Sequence, residues 1–261
     1  MTNRLAILFF VTSLCNFVYS QGKVNISEIE ERLVGGESLI YANNTVFNGT
    51  VYENYQIPKL IYSVKDGKKE GPYTSYYING QIHKSAFFKN NKLNGLYVEY
   101  YDNGQLKIST IFTENRYDGP YVEYYANGQV KIKGKLINGK YDGKLVRYYE
   151  NGQIKRQLVF ENGLQNGTLE EFYENGQLKN RTVYVDGKIE GLREKYYPDG
   201  TLYVKAFYKN NLENGTFEKY YENGQIEFKR NFKNGIQYGD SEEFYSNGQP
   251  KVKKILVNAD F

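Results

Sequence analysis

The chain has 261 residues, with 28 Tyr, 15 Phe and 26 Gly but no Trp and only 5 Pro, and its 34 basic residues nearly balance 30 acidic ones. Disordered segments are poor in aromatics, so this composition excludes disorder, and a net charge of +4 falls short of the clustered basic excess that marks a nucleic-acid binder. Flat Tyr and Phe rings pack well on a pleated surface and frequent Gly marks turns, so a strand-rich protein is expected.

Residues 1–20 read MTNRLAILFFVTSLCNFVYS. Arg4 gives a positive start, Leu5 to Val11 form an apolar run, and Val18-Tyr19-Ser20 fits small-x-small, the pattern of a signal peptide cleaved after Ser20. The expected location is therefore secreted, or periplasmic and cell-envelope. Lipidation of Cys15 would need a smaller residue than Leu14 before it. Cleavage removes the only Cys and the only Met, so the mature chain has no thiol chemistry, no disulfide and no Cys-based metal site. No later stretch reaches the roughly 18 apolar residues of a membrane-spanning helix.

Residues 21–46 form a polar N-terminal segment without periodicity, apart from a short helix expected where Ser27 precedes Glu30 at capping-box spacing. Residues 47–70 read as a degenerate capping repeat that has lost two residues and its Asn-Gly turn. End repeats are commonly atypical because one side faces water.

From residue 71 to 261 the chain is periodic. Gly recurs at 71, 95, 119, 143, 167, 191, 215 and 239, and again at 80, 104, 128, 152, 176, 200, 224 and 248, each series in steps of 24. Eight repeats follow, reading Gly-x-x-x-x-aromatic-Tyr-x-Asn-Gly-Gln-apolar (Asp199-Gly200-Thr201 in the sixth) and a second strand-like stretch. We number places from the first Gly. Place seven is always Tyr (Tyr77 to Tyr245), and place eighteen is always large and apolar or aromatic, from Phe88 to Leu256. Asn79-Gly80 and its counterparts, with Asp199-Gly200 in one repeat, predict two-residue type I′ turns, which need positive φ twice. A second turn falls near Asn138-Gly139, where Asn91, Asn115 or Asn211 elsewhere replaces the Gly. The fold class is thus all-β, an elongated antiparallel meander of tandem 24-residue hairpins in a single-layer sheet, with about 16 strands.

A two-residue turn sets place seven opposite twelve and place six opposite thirteen. Tyr100 would meet Lys107, Tyr124 would meet Lys131 and Tyr148 would meet Lys155, giving a ridge of rings and cations that is the candidate binding face, although rings used only for packing explain the same pattern. The charges at place five (Glu99, Glu123, Arg147, Glu171) then fall on the apolar face, a conflict that a β-bulge in the first strand would remove.

The pattern G-x-Y-x-x-Y-Y-x-N-G-Q-L-K, with a second turn Gly eleven residues on, resembles the bacterial variant of the MORN repeat, closely over 71–261 and weakly over 47–70. The resemblance implies a hairpin array. It also implies either an antitoxin-like partner of a toxin or a membrane or protein-scaffold role.

Catalysis has little to work with. His83 is the only His and holds a place that is Lys in five other repeats, so it reads as a solvated strand residue rather than a general base. In-frame carboxylates such as Glu170, Glu194 and Glu218 repeat in one environment, whereas an acid–base pair needs two. The sequons at Asn166 and Asn214 follow from the repeat frame. A non-enzymatic protein without metal, cofactor or small-molecule substrate is expected. Three roles stand: a scaffold binding a protein partner, attachment to glycan or anionic membrane through the Tyr/Lys face, and antitoxin-like toxin neutralisation.

Overall fold

Each 24-residue repeat folds as two antiparallel strands that pair with the repeats on either side. The computed structural model describes residues 22–55 and 57–254; the expected export signal, with Cys15 and Ser20, lies outside the described residues. The chain divides into two units, one running to Gly128 with Leu136–Gly139, the other holding Gln129–Lys135 and everything from Lys140. In the first unit the strands Lys68–Tyr76, Ile82–Lys89, Gly95–Tyr100, Leu106–Thr113 and Arg116–Tyr124 pair antiparallel in turn. The second unit repeats the scheme down to Ile236–Phe244 and Pro250–Lys254, the hairpin of the eighth repeat.

The Asn-Gly tip departs from the expected two-residue turn, whereas the second turn takes the left-handed conformation its Asn and Gly imply. At the Asn-Gly tip, Tyr77 N–H donates to Gln81 O (2.8 Å) and Gly80 N–H to Tyr77 O (2.9 Å). Gly80 alone takes positive φ (86°), while Asn79 does not. The loop therefore has three residues and closes with a left-handed Gly, a type I turn with a G1 bulge. Type I′ geometry belongs to the second turn, where both central residues have positive φ, as at Asn138 (51°) with Gly139 (79°) and at Asn90 (49°) with Asn91 (66°).

The third loop residue moves the register. Place six, not seven, lies opposite twelve: Tyr76 pairs with Ile82, Tyr100 with Leu106 and Tyr148 with Ile154. Place five then pairs with fourteen, as Glu99 with Ile108, so place thirteen is an extra residue. The bulge sits in the second strand, at Lys107 and its equivalents, not in the first.

Alternation now defines two faces. One carries places three, five, fourteen, sixteen and eighteen. In the second unit it holds a buried cluster of Leu145, Leu158 and Leu169, flanked by Phe160 and Tyr184. In the first unit it sets Tyr97 edge-on to Phe112 at 5.4 Å between ring centroids. The other face carries places two, four, six, fifteen and seventeen.

The N-terminal segment is more ordered than its polar sequence suggests. Lys23–Asn25 runs parallel to Gly49–Tyr55. A single 3-10 turn, Ile26–Glu28, replaces the expected helix, and its cap is Asn25, whose Oδ1 accepts from Ser27 N–H at 3.0 Å. Strands Ile29–Val34, Glu37–Ala42 and Thr45–Val46 form a small separate sheet. It closes over the capping repeat, burying Ile40 and Phe47 against Val51, Tyr62 and Val64, while Ile40 N–H donates to Gly67 O at 2.7 Å.

Candidate functional site

The Asn-Gly tips form the most regular structure in the molecule. Place-seven hydroxyls donate forward to the place-six carbonyl of the next repeat at six tips, among them Tyr77 to Tyr100 (2.7 Å), Tyr101 to Tyr124 (2.8 Å), Tyr149 to Phe172 (2.8 Å) and Tyr173 to Tyr196 (2.8 Å). The tip Asn is used twice. Asn175 Oδ1 accepts from Gln177 N–H within its own turn (3.0 Å), and its Nδ2 donates to Pro198 O of the next (2.9 Å). These constant residues thus act as bolts between hairpins. That assignment was invisible in the sequence, because constancy within a repeat marks both a binding motif and an assembly motif.

The expected Tyr/Lys ridge is not formed. Tyr100 sits opposite Leu106 on one face, and burial raises its phenol pKa. The bulge sends Lys107 to the other face, where its Nζ lies 2.8 Å from Glu99 Oε1 and 5.7 Å from the ring of Tyr101. Lys155 likewise lies over Tyr149 (5.3 Å), while Tyr148 pairs with Ile154. Tyr124, half-buried and raised in pKa by burial, accepts Tyr101's hydroxyl on its carbonyl; Lys131 is half-buried on Val130–Ile137. The cation–ring partner is therefore place seven, not place six.

This geometry also settles the charge at place five. Glu99 is buried, and despite the cost of burial its carboxyl is held below the ordinary value by hydrogen bonds from Lys107 and from Tyr97 (2.9 Å). The seventh repeat reverses the pair, with Lys219 at place five and Glu227 at thirteen, 2.9 Å apart. The same contact with exchanged signs shows that the bulge serves to bring these two places together.

On the opposite face the two units differ. In the second, after Lys133, Val146 and Gln157, places four and fifteen alternate in sign across successive strands: Glu170, Arg181, Glu194, Lys205, Glu218, Lys229, Glu242, Lys253. Arg181 reaches both Glu170 (3.1 Å) and Glu194 (3.7 Å), and Lys229 reaches Glu218 (3.2 Å). In the first unit the same row is Thr74, Ser85, Val98, Ser109 and Val122, without charge. It is edged by Leu96 and Ile111, 40% and 37% exposed, which pair with each other. Placing four and fifteen side by side reveals this contrast, and the expected register already set those two places opposite each other.

His83 is half-buried, 4.5 Å from the ring of Tyr77 and 3.8 Å from Glu99 Oε1. Burial, and then the neighbouring Lys84, lower its pKa, so it is neutral at pH 7. Among the described residues no group of three or more His, Cys, Asp or Glu is placed to hold a metal ion.

Hairpins of one length, joined edge to edge by tip tyrosines and, except at Asp199, tip asparagines, define a tandem β-hairpin repeat protein. A model of the MORN repeat variant matches seven consecutive segments, 69–90, 93–113, 117–138, 141–162, 165–186, 189–210 and 213–234, more than half of the chain. The chain belongs to the MORN repeat variant family. No curated protein matches it.

Proposed function

We propose that this is an exported, non-enzymatic scaffold that binds a protein partner, and that the uncharged strip of the first unit is the surface it offers. What supports the reading is the contrast within one face. Phe207 of the second unit is as exposed as Leu96 but lies beside the charged row, whereas in the first unit Leu96 and Ile111 lie beside Val98 and two small hydroxyl residues. Contiguous exposed apolar surface favours a protein contact. The constant Tyr and Asn of the tips are already engaged in stacking and are poor candidates for specificity.

The test is capture of partners from envelope extract by the mature chain, repeated with Leu96→Asp and Ile111→Asp together. The expected result is saturable capture that weakens at least about tenfold in the double variant, with unchanged circular dichroism. Capture indifferent to both substitutions would remove this surface from consideration. A second reading, attachment to glycan or anionic membrane, draws on the exposed lysines that recur at the tips (Lys155, Lys179 and Lys251, each over a tyrosine ring). It predicts binding to anionic vesicles that weakens stepwise as repeats are removed, because many weak sites act together.

A further inference from the structure

We propose that the fourth repeat carries a binding site for a phosphate dianion, free or as the monoester of a small molecule, where its bulge sets Arg147, Lys155 and Arg156 together. The site lies in the second unit and is independent of the uncharged strip of the first.

At a bulge, two residues of one strand face a single residue of the other. Here places thirteen and fourteen face place five, and in the fourth repeat Arg156 stands directly opposite Arg147, with the register shift falling immediately after Arg147. Elsewhere the same crowding joins opposite charges: Lys107 lies 2.8 Å from Glu99, and Lys219 lies 2.9 Å from Glu227. In the fourth repeat places five and thirteen are Arg147 and Lys155, both cations. Place fourteen adds a third, Arg156, although that place is uncharged in every repeat but the first and the fourth. Like charges set opposite each other destabilise a sheet.

Little within the chain offsets this repulsion. The one ion pair of the cluster runs from Arg156 Nε to Glu171 Oε1 at 3.5 Å, and the other oxygen of Glu171 accepts from Asn180 Nδ2 at 3.2 Å. Among the described residues the terminal nitrogens of Arg156 make no hydrogen bond, and Arg147, which is exposed, has no acidic partner. On its other side Arg147 faces Ile132. Lys155 is exposed, with its Nζ over the Tyr149 ring at 5.3 Å, and an ammonium held by a ring face keeps N–H groups to donate outward. Glu174, at the next tip, acts on Tyr149 and forms no ion pair with the three cations. Three cations against one paired carboxylate leave a surplus that a dianion cancels. A phosphate has three terminal oxygens, one for each cation, whereas a carboxylate has two and a single charge. The guanidinium fork matches phosphate oxygens in pairs, and Lys adds a point charge. A break with the pairing rule that the neighbouring repeats obey is the mark of a functional position.

The experiment titrates the mature chain with inorganic phosphate and with methyl phosphate by calorimetry, at constant ionic strength and about pH 8, where both are dianions. Saturable binding at one site, with a Kd of about 1 mM or tighter, is expected. Binding of both probes assigns the site to a monoester, and binding of inorganic phosphate alone assigns it to the free ion. Arg147→Glu restores the opposite charges of the second and seventh repeats, so it should weaken binding at least about tenfold and raise the melting temperature in phosphate-free buffer. Arg147→Lys keeps the charge without the fork and should bind about threefold more weakly. Lys209→Gln, which removes a charge elsewhere on the unit, should bind as the natural chain does. No saturation by about 10 mM of either probe, or equal weakening in Lys209→Gln and Arg147→Glu, overturns the site. Acetate binding as tightly as phosphate overturns its assignment to phosphate. If Arg147→Glu melts higher yet binds phosphate like the natural chain, the three cations repel one another without recruiting a ligand, and the proposal falls.

Discussion

The register at the tips can be tested through Lys155. Its Nζ lies 5.3 Å from the Tyr149 ring centroid, and Tyr149's hydroxyl donates to Phe172 O at 2.8 Å. The neighbouring Tyr148 is paired with Ile154, so the two tyrosines, adjacent in sequence, make opposite forecasts. Tyr149→Phe removes one neutral hydrogen bond between repeats while keeping the ring, which should cost about 1 kcal/mol. Tyr149→Leu also removes the ring, adding an exposed cation–π contact of about 0.5–1 kcal/mol. In a double-mutant cycle, Lys155→Met should couple to Tyr149→Leu by about 0.5–1 kcal/mol and to Tyr148→Leu by less than about 0.3 kcal/mol. Urea unfolding followed by far-UV circular dichroism gives the free energies. Because stacking is a term between neighbours, Tyr149→Phe should also broaden the transition. Coupling of Lys155 to Tyr148, with none to Tyr149, would restore the two-residue turn and refute the bulge.

Other substitutions probe different links. Asp199 caps its own turn through Thr201 N–H (2.8 Å) but has no donor for the next repeat; Asp199→Asn supplies one, and thermal melting should rise by about 1–2 °C. Gly139 has open space around its missing Cβ at φ 79°. Gly139→Ala should therefore cost about 1 kcal/mol from the left-handed backbone alone, whereas Gly139→Asn should be near neutral in the same urea assay, since Asn115 at that place also accepts from Leu93 N–H at 2.6 Å. Glu99 is held below the ordinary carboxyl value of 4.5 when folded. It therefore contributes stability above about pH 4.5, and that contribution disappears as pH falls through the lower folded value. Glu99→Gln should lose about 1.5–3 kcal/mol at pH 7 and show a shallower acid limb in melting experiments from pH 7 to 3.

Much of this fold could be read from spacing alone, because a 24-residue period with Gly at two fixed offsets admits little besides tandem hairpins. The register could not. Asn-Gly is the signature of a two-residue turn and fits a three-residue loop with a left-handed Gly equally well, and the difference of one residue moves the partners next to the tip, until the bulge at place thirteen restores the register. Tyr100 and Lys107 were set together by that single step. The Glu99 conflict was the one visible symptom of the error, although alternation does not say which strand holds the extra residue. The N-terminal sheet was missed for a different reason. Strands such as Glu37–Ala42 are short and half polar, and their order comes from packing Ile40 on Tyr62 and Val64, residues more than twenty positions away.

The tip hydrogen bonds join residues 23 apart, and those of the second turns, such as Gly235 N–H to Glu213 O (2.8 Å), join residues 22 apart. Within the repeats, then, a hairpin needs only its immediate successor to be complete. A polypeptide threading through a narrow channel from its N-terminus could lock each rung in place as soon as the next had cleared the exit, lagging its own arrival by a single repeat. Such a chain never has to wait for its far end.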